Sequence, residues 1–335
     1  MDVPPWELRR SMLVKLDEET NPKFGCAPEN RPIRDYLNYG IINLDKPGGP
    51  SSHEVAAWVK RILDVKHAGH GGTLDPKVTG ILPVALEKAP KVIEALLVSG
   101  KEYVCAMRLH GDVDEQKVRD VLEEFVGDIL QRPPLRSSVR RVVRTRRIYY
   151  LTDLEFRDRW VLFRVGCQAG TYIRKLVYDV GEVLGPGAHM DELRRVRSGP
   201  FTEDESLVTL YSLKAGYDLW KETGDESTLR RVVLPMERAL GLVPKIYVRD
   251  SAVSSIYGAK LATPGIARLE TDIKSRDLVG FFSLKGELIA LGKAIITSEE
   301  MVSRDHGLAA DTIRVIMDLD TYPRMWQSRK TEEKP

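Results

Sequence analysis

Cysteine is scarce in this sequence, which holds three among its 335 residues, at positions 26, 105 and 167. Their wide spacing fits no pattern of zinc ligands, and they are most simply interpreted as reduced thiols. Long apolar stretches are absent as well, since no run reaches the 18 residues of a membrane-spanning helix. These deficits predict a cytoplasmic protein that has no metal site and no membrane association.

Charge of one sign is not in excess either, because 51 Lys and Arg residues face 49 Asp and Glu residues, giving a net charge of +2. The total therefore does not suggest a nucleic-acid partner, whereas the distribution does. The segment between residues 131 and 147 has no acid and seven arginines, at positions 132, 136, 140, 141, 144, 146 and 147. Such a segment predicts contacts with phosphate groups, and the alternative is a solvated surface balanced by acids elsewhere.

The basic segment yields specific candidates for these contacts. We expect phosphate to be contacted by Arg140, Arg141, Arg144 and Arg146. The prolines at 133–134 predict the end of a preceding helix, so a loop would carry the first of the charges. A second cluster is expected to extend the same surface, and it consists of Arg194, Arg195 and Arg197.

One acidic residue, Asp75, has an unusual setting. It follows Gly71 and Gly72, which permit a sharp turn, and it directly precedes Pro76, which favours an extended conformation at Asp75. No cysteine and no second carboxylate lies nearby in the sequence, so a metal site and a paired-acid hydrolase gain no support. A lone, rigidly presented aspartate fits a nucleophile or base, and the alternative is a polar β-turn.

Three sequence blocks resemble those of the TruB-type pseudouridine synthases. The stretch His70-Gly71-Gly72-Thr73-Leu74-Asp75-Pro76 is similar to their motif II, in which the aspartate is catalytic. The segments Asn43–Pro47 and Ser51-Ser52-His53 resemble motif I, and Gly170–Arg174 with Leu184–Arg195 resembles the third block. The whole chain is similar to an archaeal member of the dyskerin branch, the catalytic subunit of H/ACA ribonucleoproteins.

This resemblance implies an α+β fold, with a mixed-sheet pseudouridine synthase catalytic domain and a carboxyl-terminal PUA-type β-barrel that binds RNA. Composition alone would allow any small β-barrel in the last third of the chain. The expected division is an amino-terminal extension that packs on the PUA domain (1–35), the catalytic domain (36–243), the PUA domain (244–321) and a tail (322–335).

Local patterns predict the individual elements. Ser51 and Glu54 form a capping-box pattern at the start of a helix. Strands are expected over 40–44, 102–109, 147–155 and 160–167, and a hairpin is expected to turn at Lys285-Gly286. Helices are expected over 114–130 and from just after Gly170 to Leu184. Residues 6–16 are expected to form a short amphipathic segment.

The resemblance implies isomerisation of uridine, in which the glycosidic bond breaks, the base rotates and C5 joins C1′. No atom is gained and no redox change occurs, so no cofactor is expected. Asp75 would be catalytic, by attack on C1′, attack on C6 or abstraction of the 2′ proton. The expected supporting residues are Arg174 as its ion-pair partner, Tyr103 stacked on the base, His70 holding the flipped nucleotide, Tyr172 and Leu193 lining the pocket, and Lys46 bracing the loop. A purely structural role is the alternative for Arg174, Tyr103, His70, Tyr172 and Leu193, whereas a reactive role is the alternative for Lys46.

In such a ribonucleoprotein, an H/ACA guide RNA selects the uridine in substrate rRNA, and this branch also acts on the tRNA T-loop without a guide. The implied protein partners are a small zinc-ribbon protein, a glycine/arginine-rich-family protein and a kink-turn-binding protein. The alternatives are a stand-alone tRNA T-loop synthase and a non-catalytic RNA-binding scaffold. A nucleotide-dependent enzyme is disfavoured, because the turn at 48–52 lacks the Gly-Lys-Ser/Thr ending of a phosphate loop.

Overall fold

The structure is a computed structural model that describes residues 3–133 and 140–323. Pro134, Arg136 and almost all of the expected tail lie outside the described residues. The chain divides into two compact units. The first comprises the residues up to Leu8 together with Gly40–Leu234, and the second comprises Arg9–Tyr39 together with the residues from Pro235 onward. The division expected from the sequence, with boundaries after residues 35 and 243, stays a prediction.

In chain order, the described strands are β1 (Met12–Val14), β2 (Gly40–Lys46), β3 (Ala68–His70), β4 (Thr79–Leu86), β5 (Lys101–Leu109), β6 (Gly127–Gln131), β7 (Arg144–Arg157), β8 (Trp160–Cys167), β9 (Ala188–Ser198), β10 (Phe201–Thr202), β11 (Leu207–Val208), β12 (Leu234–Pro235), β13 (Lys245–Val248), β14 (Leu261–Ala262), β15 (Ile266–Glu270), β16 (Leu278–Phe282), β17 (Leu288–Ala294) and β18 (Leu308–Val315). The α-helices are α1 (Ile33–Asn38), α2 (Ser52–Ile62), α3 (Ile93–Val98), α4 (Glu115–Glu124), α5 (Ile173–Leu184), α6 (Leu210–Thr223), α7 (Ser227–Val232), α8 (Asp250–Ile256) and α9 (Ser298–Ser303). Short 3-10 helices occur at Pro5–Glu7, Pro28–Asn30, Ala89–Val92, Met236–Leu240 and Thr263–Gly265.

The first unit is built on a mixed sheet with the strand order β11-β2-β4-β9-β5-β8-β7-β6, to which β3 adds on β4 and β10 on β9. The pairs β11–β2 and β4–β9 are parallel, whereas β5 is antiparallel to both of its neighbours. The mixed-sheet α+β class expected from the sequence is therefore confirmed. Strand β9 lies centrally in this sheet, between β4 and β5.

Helices α4 and α5 cover the middle of this sheet. Val118 and Leu122 of α4 and Leu176 and Val180 of α5 are fully buried, in one cluster with strand residues such as Phe163. Their spacing of four residues places the two members of each pair on one face of their helix. Packing on this face holds the start of α5 against the sheet.

Helix α2 begins as the sequence predicts. The Ser51 hydroxyl accepts a hydrogen bond from the Glu54 backbone N–H, and the Glu54 carboxylate accepts one from the Ser51 N–H at 2.8 Å. This reciprocal capping satisfies backbone donors that a helix start leaves free. The capping box is confirmed, and it fixes the position of the next residue, Ser52.

The helix predicted over 114–130 is wrong in its second half. Helix α4 ends at Glu124, and Gly127–Gln131 forms β6, which pairs antiparallel with β7. Gly127 has φ +117°, a conformation that leaves the helix and favours glycine. Ile129 packs against the same core from a strand, which is why its spacing resembled that of a helix. Pro133 therefore follows a strand and does not end a helix.

The second unit is a sheet of described strands in the order β1-β15-β13-β16-β17-β18-β14. Its core includes Leu269, Phe281 and Ile289, all fully buried. The predicted hairpin is confirmed, because β16 and β17 are antiparallel neighbours and Gly286 adopts φ +86° in their connection.

The amphipathic segment predicted over 6–16 is not a helix. Pro5–Glu7 forms one 3-10 turn, and Met12–Val14 forms β1, which pairs antiparallel with β15 within the second unit. Proline is tolerated at a helix start, which fits the 3-10 turn at Pro5–Glu7. Strand β1 is the edge strand of this sheet, and β15 pairs with one side of it. Among the described residues, no helix is both long and apolar enough to cross a bilayer.

Candidate active site

Asp75 lies in the loop that connects β3 to β4, and we call residues 71–78 the Asp75 loop. Its carboxylate forms an ion pair with Arg174, in the first turn of α5. The two side chains are 54% and 60% exposed, so the pair is open to an incoming substrate. A guanidinium that contacts a carboxylate fixes the direction of its oxygens.

Ser52 fastens the Asp75 loop to the start of α2. Its buried hydroxyl accepts a hydrogen bond from the Leu74 N–H at 2.9 Å and donates one to the Leu74 carbonyl at 3.1 Å. Both the N–H and the carbonyl of Leu74, the residue before Asp75, are therefore hydrogen-bonded to Ser52. The serine lies in the Ser51-Ser52-His53 block, but nothing in the sequence reveals this contact.

Lys46 holds the other side of the loop. Its fully buried Nζ donates to the carbonyls of Pro47, Pro76 and Val78 at 2.8, 2.9 and 2.9 Å. Burial lowers the pKa of Lys46, and the nearby charge of Arg195 lowers it further, whereas Asp75 raises it. These contacts are the ones that a bracing role requires, and the Nζ donors are all occupied.

Arg195 lies beneath the same loop and is only 1% exposed. Its Nε donates to the Ile81 carbonyl at 2.7 Å and an Nη donates to the Gly72 carbonyl at 3.1 Å. Gly72 has φ +122°, which favours glycine at this turn. The expectation that Arg195 contacts RNA requires correction, because the guanidinium is buried and engaged with the backbone of the fold.

Tyr103 lies on β5, directly opposite Arg195 on β9. The ring is largely buried, and burial raises the pKa of Tyr103, while the charge of Arg195 and a side-chain hydrogen bond with it lower that pKa. Leu193, two residues before Arg195 on β9, is half-buried and packs against the core of the first unit. Alternation along the strand places Leu193 and Arg195 on one face of the sheet.

His70 ends β3 next to the Asp75 loop. Its ring meets that of His53 edge to face, with 4.7 Å between the ring centroids. Burial lowers the pKa of His70, and the neighbouring charges of His53 and Arg195 act in the same direction. Its Nδ1 is buried and has no hydrogen-bond partner among the described residues.

Tyr172 precedes α5 and is held by Gln131 of β6. The Gln131 side chain accepts from the Tyr172 N–H at 2.9 Å and donates to the Tyr172 carbonyl at 3.1 Å. A cavity of about 70 Å³ adjoins this contact and is lined by Gln131, Pro133, Arg144, Arg146, Gly170 and Tyr172. Gln131 is a further site residue that no sequence signal identified.

The two arginine clusters differ in their surroundings. Arg140 and Arg141 are exposed, whereas Arg144 and Arg146 are partly buried at the start of β7, beside the cavity. In the second cluster, Arg194 forms ion pairs with Asp45 at 3.0 Å and with Glu203 at 2.6 Å. Its charge is therefore paired within the fold, and the RNA contact expected at Arg194 stays a prediction.

Arg197 is paired within the fold as well. Its Nε lies 3.2 Å from the Glu102 carboxylate, and its guanidinium lies 5.2 Å from the centroid of the Trp6 ring. Thus the second cluster connects β9 to its neighbours by ion pairs, hydrogen bonds and ring contacts. Among the described arginines of the two clusters, the exposed ones belong to the first and are Arg132, Arg140 and Arg141.

Comparison with sequence families divides the chain into consecutive segments. Residues 4–56 match the DKCLD (NUC011) domain, and residues 60–173 match the TruB family pseudouridylate synthase N-terminal domain. Residues 174–241 match the tRNA pseudouridylate synthase B C-terminal domain, and residues 244–316 match the PUA domain.

Relatives match along nearly the whole chain. A protein of Pyrococcus horikoshii named probable tRNA pseudouridine synthase B is 57% identical over 96% of this chain and 97% of its own length. A protein of Methanopyrus kandleri with the same name is 58% identical over 96% of this chain and 95% of its own length.

Solved structures agree with these relatives. The crystal structure of a Cbf5-Nop10-Gar1 complex contains a chain that is 55% identical, with a TM-score of 0.92 over 96% of this chain and 98% of that one. The structure of an H/ACA ribonucleoprotein bound to a substrate RNA containing 2′-deoxyuridine contains a chain that is 53% identical, with a TM-score of 0.91 over 97% of this chain and all of that one. This chain belongs to the TruB family of RNA pseudouridine synthases and carries a PUA domain.

Proposed function

We propose that this chain is the catalytic subunit of an H/ACA ribonucleoprotein, in which a guide RNA selects uridines of rRNA, and that it also modifies the T-loop of tRNA. One observation carries the proposal. The exposed Asp75 carboxylate, ion-paired with Arg174 of α5, lies on a loop that several buried side chains hold. The chain is similar along nearly all its length to a subunit of an H/ACA ribonucleoprotein bound to substrate RNA.

In the proposed reaction Asp75 is the catalytic residue and Arg174 directs its carboxylate. The exposed carboxylate can attack C1′, attack C6 or abstract the 2′ proton, and each route uses the same anchored loop. A base paired in a duplex cannot reach this loop, so the uridine must leave its stack. Because the ion pair is exposed, the carboxylate needs no opening of the protein to receive a flipped nucleotide.

The surrounding side chains suit a pocket for the detached base. Tyr103 offers a ring for stacking, Tyr172 and Leu193 line the pocket, and His70 helps to hold the flipped nucleotide. Lys46 supports the Asp75 loop from below through three carbonyl contacts, so we assign it no chemical step. The reaction gains no atom and changes no oxidation state, and the proposal therefore uses no cofactor.

RNA binding is assigned to two regions. Arg140 and Arg141 are exposed, and Arg144 and Arg146 flank the cavity beside Tyr172, so these four are the proposed phosphate ligands in the first unit. The PUA domain, placed at 244–321 in our division of the chain, is the proposed site for guide RNA. The extension at 1–35 is proposed to pack on it, which the pairing of β1 with β15 supports.

The proposed assembly has three protein partners besides the guide RNA. They are a small zinc-ribbon protein, a glycine/arginine-rich-family protein and a kink-turn-binding protein. The neighbouring solved complex contains proteins named Nop10 and Gar1, which supports partners of this kind. We place the assembly in the cytoplasm, in line with the three free cysteines, two of which are buried.

A stand-alone tRNA T-loop synthase is the second candidate, and the names of the relatives favour it. The deciding experiment measures uridine isomerisation in a guide-paired RNA and in a tRNA, each with and without the partner proteins. The proposal predicts conversion of the guide-paired target only when guide and partners are present. Conversion of tRNA alone, with no activity on any guide-paired target, would support the stand-alone enzyme.

A further inference from the structure

Arg195 occupies a central position in the sheet of the first unit. Its neighbours across the strands are Gly80 on β4 and Tyr103 on β5. A Cβ atom at Gly80 would lie 2.3 Å from the Arg195 carbonyl oxygen, so glycine is what allows β9 to come this close to β4. Partners directly opposite each other in a sheet project to the same face, which places the Arg195 and Tyr103 side chains together.

The contacts of Arg195 join three parts of the site. Two donors hold the backbone at Gly72, which opens the Asp75 loop, and at Ile81, which follows the loop on β4. The third neighbour is the Tyr103 hydroxyl. Burial lowers the pKa of Arg195, whereas the charge of Tyr103 and its hydrogen bond raise it. Arg195 is therefore a buried cation, and the ionisable side chain next to it is Tyr103, the tyrosine of the proposed pocket.

The charge itself calls for a functional reason. Removing a cation from water is costly, and an apolar side chain of similar volume often fills such a position with equal or better stability. The charge of Arg195 acts on Tyr103, the ionisable group that is proposed to stack on the base. Support of the loop alone would need only hydrogen-bond donors, which Lys46 already supplies on the other side.

We propose that Arg195 is a positioning residue that holds the Tyr103 oxygen for the last proton transfer of the isomerisation, an inference that rests on the function proposed above. After C5 has joined C1′, C5 still carries its original hydrogen. Tyr103 releases its hydroxyl proton to water, and its oxygen then takes the proton from C5. The C5–H electron pair restores the C5=C6 double bond, and N1 takes up a proton from water.

Removing the charge of Arg195 should change the pH dependence of the proton transfer from C5 in one direction. Burial raises the pKa of Tyr103 and Arg195 lowers it. Removing the positive charge therefore raises that pKa, and less of the reactive phenolate is present at a given pH. The proton transfer from C5 then becomes slower, and its rate rises with pH over a higher pH range than in the unaltered protein.

The test uses the full chain with its RNA substrate, in single turnovers, with the target uridine either unlabelled or deuterated at C5. We expect Arg195→Met to react at least about tenfold more slowly, which is about 1.4 kcal/mol, and to show a deuterium isotope effect that the unaltered protein lacks. Its rate profile should shift to higher pH. Arg195→Lys keeps the charge and should show a smaller pH shift.

Lys46→Met is the matched control, because Lys46 is also a buried cation under the Asp75 loop, but its hydrogen bonds go only to carbonyls. This control should react slowly without any C5 isotope effect or pH shift. The inference is overturned if both Arg195 variants keep the original pH profile and show no isotope effect, whatever their rates.

If neither Arg195 variant folds, the same measurement on Tyr103→Phe decides, because the proposal requires a C5 isotope effect there and its absence overturns the proposal. Failure of the inference is distinguishable from failure of the proposed function. An inactive Asp75→Asn variant combined with Arg195 variants that show no isotope effect would leave the function standing and remove only the role of Arg195.

Discussion

Ser52 and Leu74 are joined by two hydrogen bonds, since the serine hydroxyl both accepts from the Leu74 N–H and donates to the Leu74 carbonyl. This relationship connects the start of α2 to the residue before Asp75. The preceding residue, Ser51, caps α2 and makes no contact of this kind with the loop in the described structure. Substituting each of the two neighbouring serines separately therefore distinguishes a loss of helix stability from a change in the geometry of the Asp75 loop.

We predict that Ser52→Ala lowers both stability and turnover. The Leu74 backbone would lose its partners in a buried position, at a cost of about 1–3 kcal/mol. The Asp75 loop would also lose one of its fixed points, so the single-turnover rate should fall at least about tenfold, which is about 1.4 kcal/mol. Chemical denaturation and single-turnover kinetics measure the two effects.

Ser51→Ala serves as the control, because loss of a helix cap costs about 1 kcal/mol of stability. It should lower the free energy of unfolding and leave the turnover rate nearly unchanged. Equal rates for the two variants would show that the Ser52–Leu74 contact does not position Asp75.

Arginines of the basic segment are predicted to capture substrate. Replacing Arg140, Arg141 and Arg144 together by Gln should weaken RNA binding and reduce its salt dependence, because fewer counterions are released. The fold should survive, since Arg140 and Arg141 are exposed and Arg144 is only partly buried. The measurement is an RNA titration at several salt concentrations.

A triple variant at Lys60, Lys214 and Lys221, which are exposed on α2 and α6, removes the same charge elsewhere in the first unit. It should bind RNA like the unaltered protein. If both triple variants bind and convert substrate normally at physiological salt, the arginines form an ordinary solvated surface.

Lys101 gives a prediction for pH. Its Nζ donates to the carbonyls of Leu96 and Ser99, and burial lowers the pKa of Lys101 to about 7. In the unfolded chain its pKa is near 10.4, so between these values the unfolded state binds more protons and stability rises with pH. Denaturation at pH 7 and pH 9 should show this increase, and Lys101→Met should lack it. An equal increase in the variant would assign the effect to other groups.

Patterns of consecutive residues in the sequence predicted those parts of the site that a single short segment of the chain forms. The glycines and proline around Asp75 predicted an anchored turn, and the Ser51–Glu54 pattern predicted the cap of α2. Partners far apart in the chain were not predictable from local patterns, and the Asp75–Arg174 pair was expected only from the family resemblance. Arg194 belongs to a basic cluster in the sequence, yet its charge is paired with Asp45, which lies on another strand.

The burial of Arg195 could not be predicted from local sequence patterns either. It depends on the order β4-β9-β5, and no local pattern reports which strands become neighbours. Helix α4 illustrates a different cause, because apolar spacing continued beyond Glu124 while Gly127 redirected the backbone into β6. Periodicity alone could not locate that change of element.

The central claim is that Asp75 performs the chemistry, and single-turnover pseudouridine formation by Asp75→Asn tests it most directly. Asn preserves the shape of the side chain but cannot attack or abstract a proton as a carboxylate does. We predict a rate loss of at least ~10⁴-fold, equivalent to roughly 5.5 kcal/mol, with RNA affinity almost unchanged in a parallel titration. Asp112→Asn, at an exposed carboxylate paired with Arg159, should keep full activity. A rate for Asp75→Asn within tenfold of the unaltered protein would contradict the account.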